Sequence, residues 1–268
     1  MLYRVESLNE KETHPIIREN HGESWIVVML TDATEYEKFC GNVNGGVYTV
    51  KISRKCADWP MAIGDFLEFH QEKNILAVLS ERELNIVREI HKDHSCRDAF
   101  LREGEPKVLV HSTSLEAWEE IQRDGRLKCW NRLHREGRLC EETPIGKCLG
   151  DPKDFSDYIM FSAGYISGEI VVCSRQSGRI VMDENASYQT GVRLYFDCEK
   201  IAKEGRLVRD GIHLKVREEL PLEPYLLCAL TWKEAGLPQR CATPRIFTST
   251  ANRVFRERFP GYQLEVEE

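Results

Sequence analysis

The sequence predicts an α+β protein in two units. Short β-rich runs alternate with amphipathic segments that start at capping residues and stop at glycine. A polar, charged stretch, HKDHSCRDAFLREGEP, ends at Pro106 and separates an N-terminal group of such elements from a C-terminal one. The 268 residues, 41% hydrophobic and 30% charged, suffice for one large or two ordinary domains. With the boundary over 96–106, residues 1–100 form a small accessory α+β domain and residues 107–268 a second domain.

In the N-terminal part, Trp25–Leu30 is a β-rich apolar run, and ATEYEKFCGN after it reads as a short helix ending near Gly41 or Asn42. VYTVKIS alternates as a half-buried strand does. DFLEFH and ILAVLS are predicted to pair across an EKN turn. Ser80 and Glu83 have capping-box spacing for a helix over ERELNIVREIHKDH, with Leu84, Val87 and Ile90 on one face.

In the C-terminal part, Val108–Val110 is a strand running into His111-Ser112-Thr113-Ser114, then an amphipathic helix over 114–124. Thr113 and Glu116 have capping-box spacing, and Gly125 stands where a helix-terminating glycine belongs. A polar stretch runs from Lys128 to Asp157. DYIMFSAG and EIVVCS read as strands, and GRIVMDENASYQTGVRLYFDCEKIAKEG as strand, turn, strand and helix, with Asp197 as N-cap and Gly205 at the end. RDGIHLKV is a turn and strand, and ELPLEPYLLCALTW a loop and core strand. In the tail, RIFTSTANRVFRERF holds a helix and YQLEVEE a final strand.

The chemistry is expected at the His111 corner. A strand end beside a helix N-terminus offers unpaired N–H groups and favours anions, so it suits the ribose and phosphates of a nucleotide. Downstream, Arg123, Arg126, Lys128, Arg132, Arg135 and Arg138 crowd one loop against Asp124 and Glu136. The whole chain, at net charge −7, has no long-range attraction for polyanions, so a DNA or RNA acceptor would need this local patch over 126–138. Residues 1–100 are expected to position a protein partner.

Residues 1–30 carry Glu6, Glu10, Lys11 and Glu12 around only WIVVML, which predicts no secretory signal, and no apolar run is long enough for a membrane span. The ten cysteines include no CxxC pair, so a zinc site on paired cysteines is not expected; reduced thiols and a cytoplasmic location are. His213 alternates with Ile212 and Leu214, which predicts an exposed side chain. Capping alone accounts for Asp197, and the acid pairs Glu119-Glu120 and Glu218-Glu219 read as solvated.

On these motifs, region 107–232 resembles the ADP-ribosyltransferase superfamily, in its nucleic-acid-directed branches. VLVHSTS with RDGRL, DYIMFS, YFDCEKIAKEG, RDGIHLKV and LPLEPYL follow the order of pieces in the RNA 2′-phosphotransferase family. NRLHREGR, DFSDYIMFS and MDENASYQTGVRLYFDCEKI are similar to pieces of DarT-like DNA ADP-ribosyltransferases. Ser112 stands where the phosphotransferases have glycine, and Tyr188-Gln189-Thr190 where an arginine would precede the strand. Asp210-Gly211 stands where the DarT-like branch has glutamate, and Glu218 lies beyond that strand.

The resemblance implies a split β core with packed helices, NAD as cofactor, and mono-ADP-ribosyl transfer to nucleic acid, as in a toxin or defence effector. It implies that His111, Ser112, Thr113, Arg132, Tyr158, Ser162 and Tyr165 hold NAD, and that His111 with Asp210 or Glu218 carries the chemistry. A 2′-phosphotransferase-like enzyme and a silent relative that binds nucleotide, nucleic acid or protein stay open as alternatives.

Overall fold

The structure, a computed structural model, describes residues 1–9, 12–19, 25–32, 35–43, 46–139, 144, 151–238 and 242–264. The chain is mixed α+β and divides into two compact units. The first comprises Met1–Asp98, Gly146–Phe155 and Val208–His213; the second comprises Ala99–Ile145, Ser156–Leu207 and Leu214–Glu268. The chain therefore returns twice to the first unit after leaving it at Asp98.

The first unit contains β1 (Leu2–Val5), α1 (Pro15–Glu19), β2 (Trp25–Thr31), β3 (Lys38–Val43), β4 (Val47–Ser53), α2 (Trp59–Phe69), β5 (Asn74–Val78) and α3 (Glu81–His91). Its sheet has the order β1-β5-β2-β4-β3, parallel except for the antiparallel β3–β4 pair. β2 is buried almost throughout, as a central parallel strand covered on both faces must be. Ser80 and Glu83 form the expected capping box of α3.

Two expectations fail in this unit. The segment read as a helix ending near Gly41 contains β3, whose Cys40 and Asn42 pair with Val50 and Tyr48. Tertiary pairing outweighs a weak local preference there. DFLEFH is no strand but the second half of α2, which starts with Pro60 in its first turn and buries Ala62, Ile63 and Phe66. β5 pairs in parallel with β1 and β2 instead.

The second unit contains β6 (Val108–Thr113), α4 (Leu115–Asp124), β7 (Arg126–Lys128), α5 (Trp130–Arg135), β8 (Tyr158–Phe161), α6 (Ser167–Ser177), β9 (Val192–Asp197) and α7 (Cys198–Lys203). After β10 (Leu207–Arg209), which straddles the division, it continues with β11 (Leu214–Arg217), β12 (Glu219–Pro221), β13 (Leu226–Thr231) and α8 (Pro244–Arg258). β9 runs antiparallel between β6 and β13. β8 pairs antiparallel with β11, and β7 with β12. The β6 and β8 sheets meet at one isolated bridge, Val110–Ser162. Leu109 of the first sheet and Ile159 and Phe161 of the second share one buried cluster.

Here too the structure revises the sequence reading. The N-cap of α4 is Ser114, whose side chain accepts from the Ala117 amide, so the Thr113–Glu116 pair is not its cap; Gly125 ends the helix in the left-handed conformation, as expected. EIVVCS is helical, within α6, because Glu169, Val172 and Cys173 bury one helical face. RIVM forms no strand. Asp197 caps α7. The tail helix is α8, and the end of YQLEVEE lies outside the described residues. No helix among the described residues is long and apolar enough to cross a membrane.

Candidate functional site

Alternation along β6 places the residues of the predicted corner. Val108, Val110 and Ser112 share one face; Leu109, His111 and Thr113 share the other. The corner therefore does not present its side chains together. His111 Nδ1 lies 3.1 Å from the Met160 carbonyl, and the ring packs edge-on to Phe161 at 5.9 Å. Burial lowers the His111 pKa, so the imidazole is neutral and Nδ1 carries the proton that Met160 accepts. Nε2 is then an acceptor, with no hydrogen-bond partner among the described residues. Thr113 is buried at 8% exposure, and a Cβ on Gly191 would lie only 1.9 Å from its carbonyl oxygen, so only glycine fits beside it.

Ser112, on the other face, sits opposite Arg193 of β9 and touches a buried polar network. The Arg193 guanidinium is fully buried and reaches Glu169 at 3.4 Å, Ser112 Oγ at 3.5 Å, the Gly164 carbonyl at 2.9 Å and Asn252 Oδ1 at 3.2 Å. Burial works against its charge, but Tyr195 and Glu169 outweigh it and hold Arg193 protonated. The Tyr188 hydroxyl donates to Glu169 at 2.6 Å. Sequence reasoning assigned neither Glu169 nor Asn252 a part. The one available signal was Arg193 inside the apolar run VRLYFD, where a charge needs a buried partner.

The remaining predicted residues are dispersed. Ser162 exchanges backbone hydrogen bonds with Val110 at 2.8 and 2.9 Å, an edge role. Tyr158 carries the buried Lys215 ammonium 4.8 Å from its ring centre, so that face is occupied by a cation. Tyr165 is 52% exposed. Arg132 is held by Glu136 and Glu219, and Glu218, at positive φ, pairs with Arg135 at 2.8 Å. Asp210 belongs to the first unit; its Oδ1 accepts from the Ile212 and His213 amides, and its Oδ2 lies 3.2 Å from His213 Nδ1. His213 is correspondingly only 25% exposed, not solvated as alternation predicts.

The expected basic loop is an ion-pair lattice. Arg126 pairs with Glu219, Lys128 with Asp124 and Glu136, and Arg138 with Glu120 and Asp124. The acid pairs expected to be solvated thus supply its anions through Glu120, Glu218 and Glu219. Among the described residues, one group has metal-ligand spacing: Asp65, Glu68 and His91 of the first unit, with ligand atoms within 4.8 Å of one another. They also bond to one another, His91 Nε2 lying 3.1 Å from Asp65.

No protein-family model, curated protein or solved structure matches this chain.

Proposed function

We propose that the second unit is an ADP-ribosyltransferase-like domain that uses NAD and transfers ADP-ribose to a nucleic-acid acceptor. One observation carries this reading: among the described residues the backbone of β6 bridges the β8 sheet at Val110–Ser162 alone, beside a neutral His111 oriented by the Met160 carbonyl. By strand alternation the N–H and C=O of Ser112 point to the same edge as those of Val110, beyond the bridge. That edge and the His111 Nε2 acceptor fit a ribose hydroxyl and its neighbouring polar groups. NAD would supply the ADP-ribose and nicotinamide as leaving group. His111 orients the ribose, and the main-chain edge of Ser112 fixes its position. Arg193 is saturated by protein partners and serves as the support behind Ser112.

A second reading, a binding-only relative, is favoured by the engagement of Glu218 with Arg135 and of Arg132 with two glutamates. Incubation with labelled NAD and separate pools of DNA, RNA and protein decides between them. Label on nucleic acid supports transfer. Calorimetric NAD binding without label on any pool supports the binding-only relative, and absence of both overturns both. Label on protein alone retains the enzyme and replaces the acceptor.

A further inference from the structure

The first unit holds a Cys–His–Asp arrangement that includes Asp210, and its function is independent of the reading proposed for His111 and Ser112. Cys40 Sγ of β3 is 3.8 Å from His213 Nε2, and His213 Nδ1 is 3.2 Å from Asp210 Oδ2. The order nucleophile, base, orienting carboxylate is that of an activated thiol, and 3.8 Å is a contact distance for the larger sulfur atom. We propose that Cys40, His213 and Asp210 form a thiol-nucleophile site that hydrolyses esters or thioesters of small apolar acyl groups.

The geometry is built rather than incidental. Asp210 is 1% exposed and is aimed by two amides of its own turn, Ile212 and His213, on Oδ1, which leaves Oδ2 for the imidazole. The turn requires Gly211: its φ is +91°, and a Cβ there would lie 2.3 Å from the Ala62 carbonyl of α2. Cys40 is partly exposed. Tyr48, two residues along from the register partner of Cys40 and on the same sheet face, is 6% exposed, and beyond its approach to Cys40 its hydroxyl has no hydrogen-bond partner among the described residues. Burial first, then the nearby Cys40 and Asp210, raise its pKa, so it remains a neutral donor beside the sulfur. The Phe155 ring stands against both Tyr48, at 5.6 Å, and His213, at 5.7 Å. These rings make an apolar wall suited to a short acyl chain, and the Tyr48 O–H suits the oxyanion of acyl transfer.

Burial opposes charge on His213, but Asp210, with Cys40 added, lifts its pKa to about 10. In the proposed reaction the thiol proton resides on His213, which the Asp210 carboxylate stabilises as imidazolium. Sγ attacks the carbonyl carbon, the bond to the leaving oxygen or sulfur breaks, and His213 passes its proton to that leaving group. Water then adds to the acyl thioester while His213 takes a proton from it; the carboxylic acid departs and the Cys40 sulfur is regenerated with its proton shared with His213.

The test uses the full-length chain and 4-nitrophenyl acetate, with nitrophenolate release followed and the acetylated residue mapped by mass spectrometry. Acetyl is expected on Cys40 ahead of the other cysteines, and is expected to be released by water with turnover. His213→Gln should slow its appearance about 100-fold or more, as loss of a general acid–base does. Asp210→Asn keeps an oxygen acceptor for the turn amides, so it should fold and slow the reaction by a smaller factor. Melting curves check each fold, and iodoacetamide labelling of the unaltered protein, expected fastest at Cys40, gives a readout free of variants. Acetylation elsewhere first, an unchanged rate in a folded His213→Gln or Asp210→Asn protein, acetyl-Cys40 that is never released, or slower alkylation of Cys40 than of Cys228 overturns the proposal.

Discussion

At the scale of single residues, buried charge decides most. Arg193 and Glu169 are both fully buried, and each has hydrogen bonds to spare partners in Ser112, Asn252 and Tyr188. Removing one member of such a pair strands the other without water. Glu169→Ala is expected to destabilise the protein by about 3–5 kcal/mol in urea unfolding, against about 1 kcal/mol for Tyr188→Phe. Equal small losses would show that the network is not desolvated. The Asp210–His213 pair gives a pH signature. Its folded pKa, about 10, exceeds the ordinary value of 6.5, so its stabilisation is complete below pH 6.5 and is lost as the pH rises through 10. The melting-temperature gap between the unaltered protein and Asp210→Asn should therefore shrink steadily from pH 6.5 to 10. Cys40 of β3 lies against the pair, while burial keeps Tyr48 of β4 neutral throughout this range, so the comparison is made again in Cys40→Ser. A gap that widens with pH would contradict the pairing. His111→Ala should weaken NAD binding by at least about 1 kcal/mol, roughly fivefold in a calorimetric Kd, through loss of a directional hydrogen bond.

At the scale of elements, caps and charge lattices matter more than composition. Ser114 starts α4 and accepts from Ala117, so Ser114→Ala should cost about 1 kcal/mol in urea unfolding. An unchanged midpoint would return the cap to Thr113. In the loop of β7 and α5, the cations Arg123, Arg126, Lys128, Arg132, Arg135 and Arg138 face the anions Glu120, Asp124, Glu136, Glu218 and Glu219. A lattice with one more cation than anion has little charge left for phosphates. Anisotropy with a single-stranded oligonucleotide should give a log–log salt slope no steeper than about −1. A slope of several units, lost in the Arg132, Arg135 and Arg138 triple alanine variant, would restore this loop as a nucleic-acid surface.

At the scale of the whole molecule, the first unit is not a continuous stretch of chain. Val208–His213 belongs to it, the Arg209 amide donates to the Cys96 carbonyl at 2.9 Å, and Gly211 packs on α2. A fragment of residues 1–106 lacks that segment and Gly146–Phe155. It is expected to unfold at lower denaturant than the same unit in the full chain and to exchange its α2 amides faster. Equal protection in the fragment would show that the parallel sheet alone is a complete domain.

The sequence by itself determined the α+β class, the helices α3, α4 and α7 with the glycines that end α4 and α7, and the buried strands β2, β6 and β9. Local rules suffice for these because apolar periodicity, a capping side chain and a terminating glycine act within a few residues. The structure carries β6 on to Thr113 and so places His111 inside the strand and not at its end. The tertiary structure alone decided β3, α2 and α6, where packing partners distant in sequence overrode short ambiguous runs. It also separated Ser112 from His111 across the β6 sheet and neutralised the arginine loop with glutamates from β12 and its approach. Above all, it brought Cys40 to a His213–Asp210 pair lying 173 residues further along at His213. No spacing rule reaches that far, because loop closure and sheet register, not local pattern, place those side chains together.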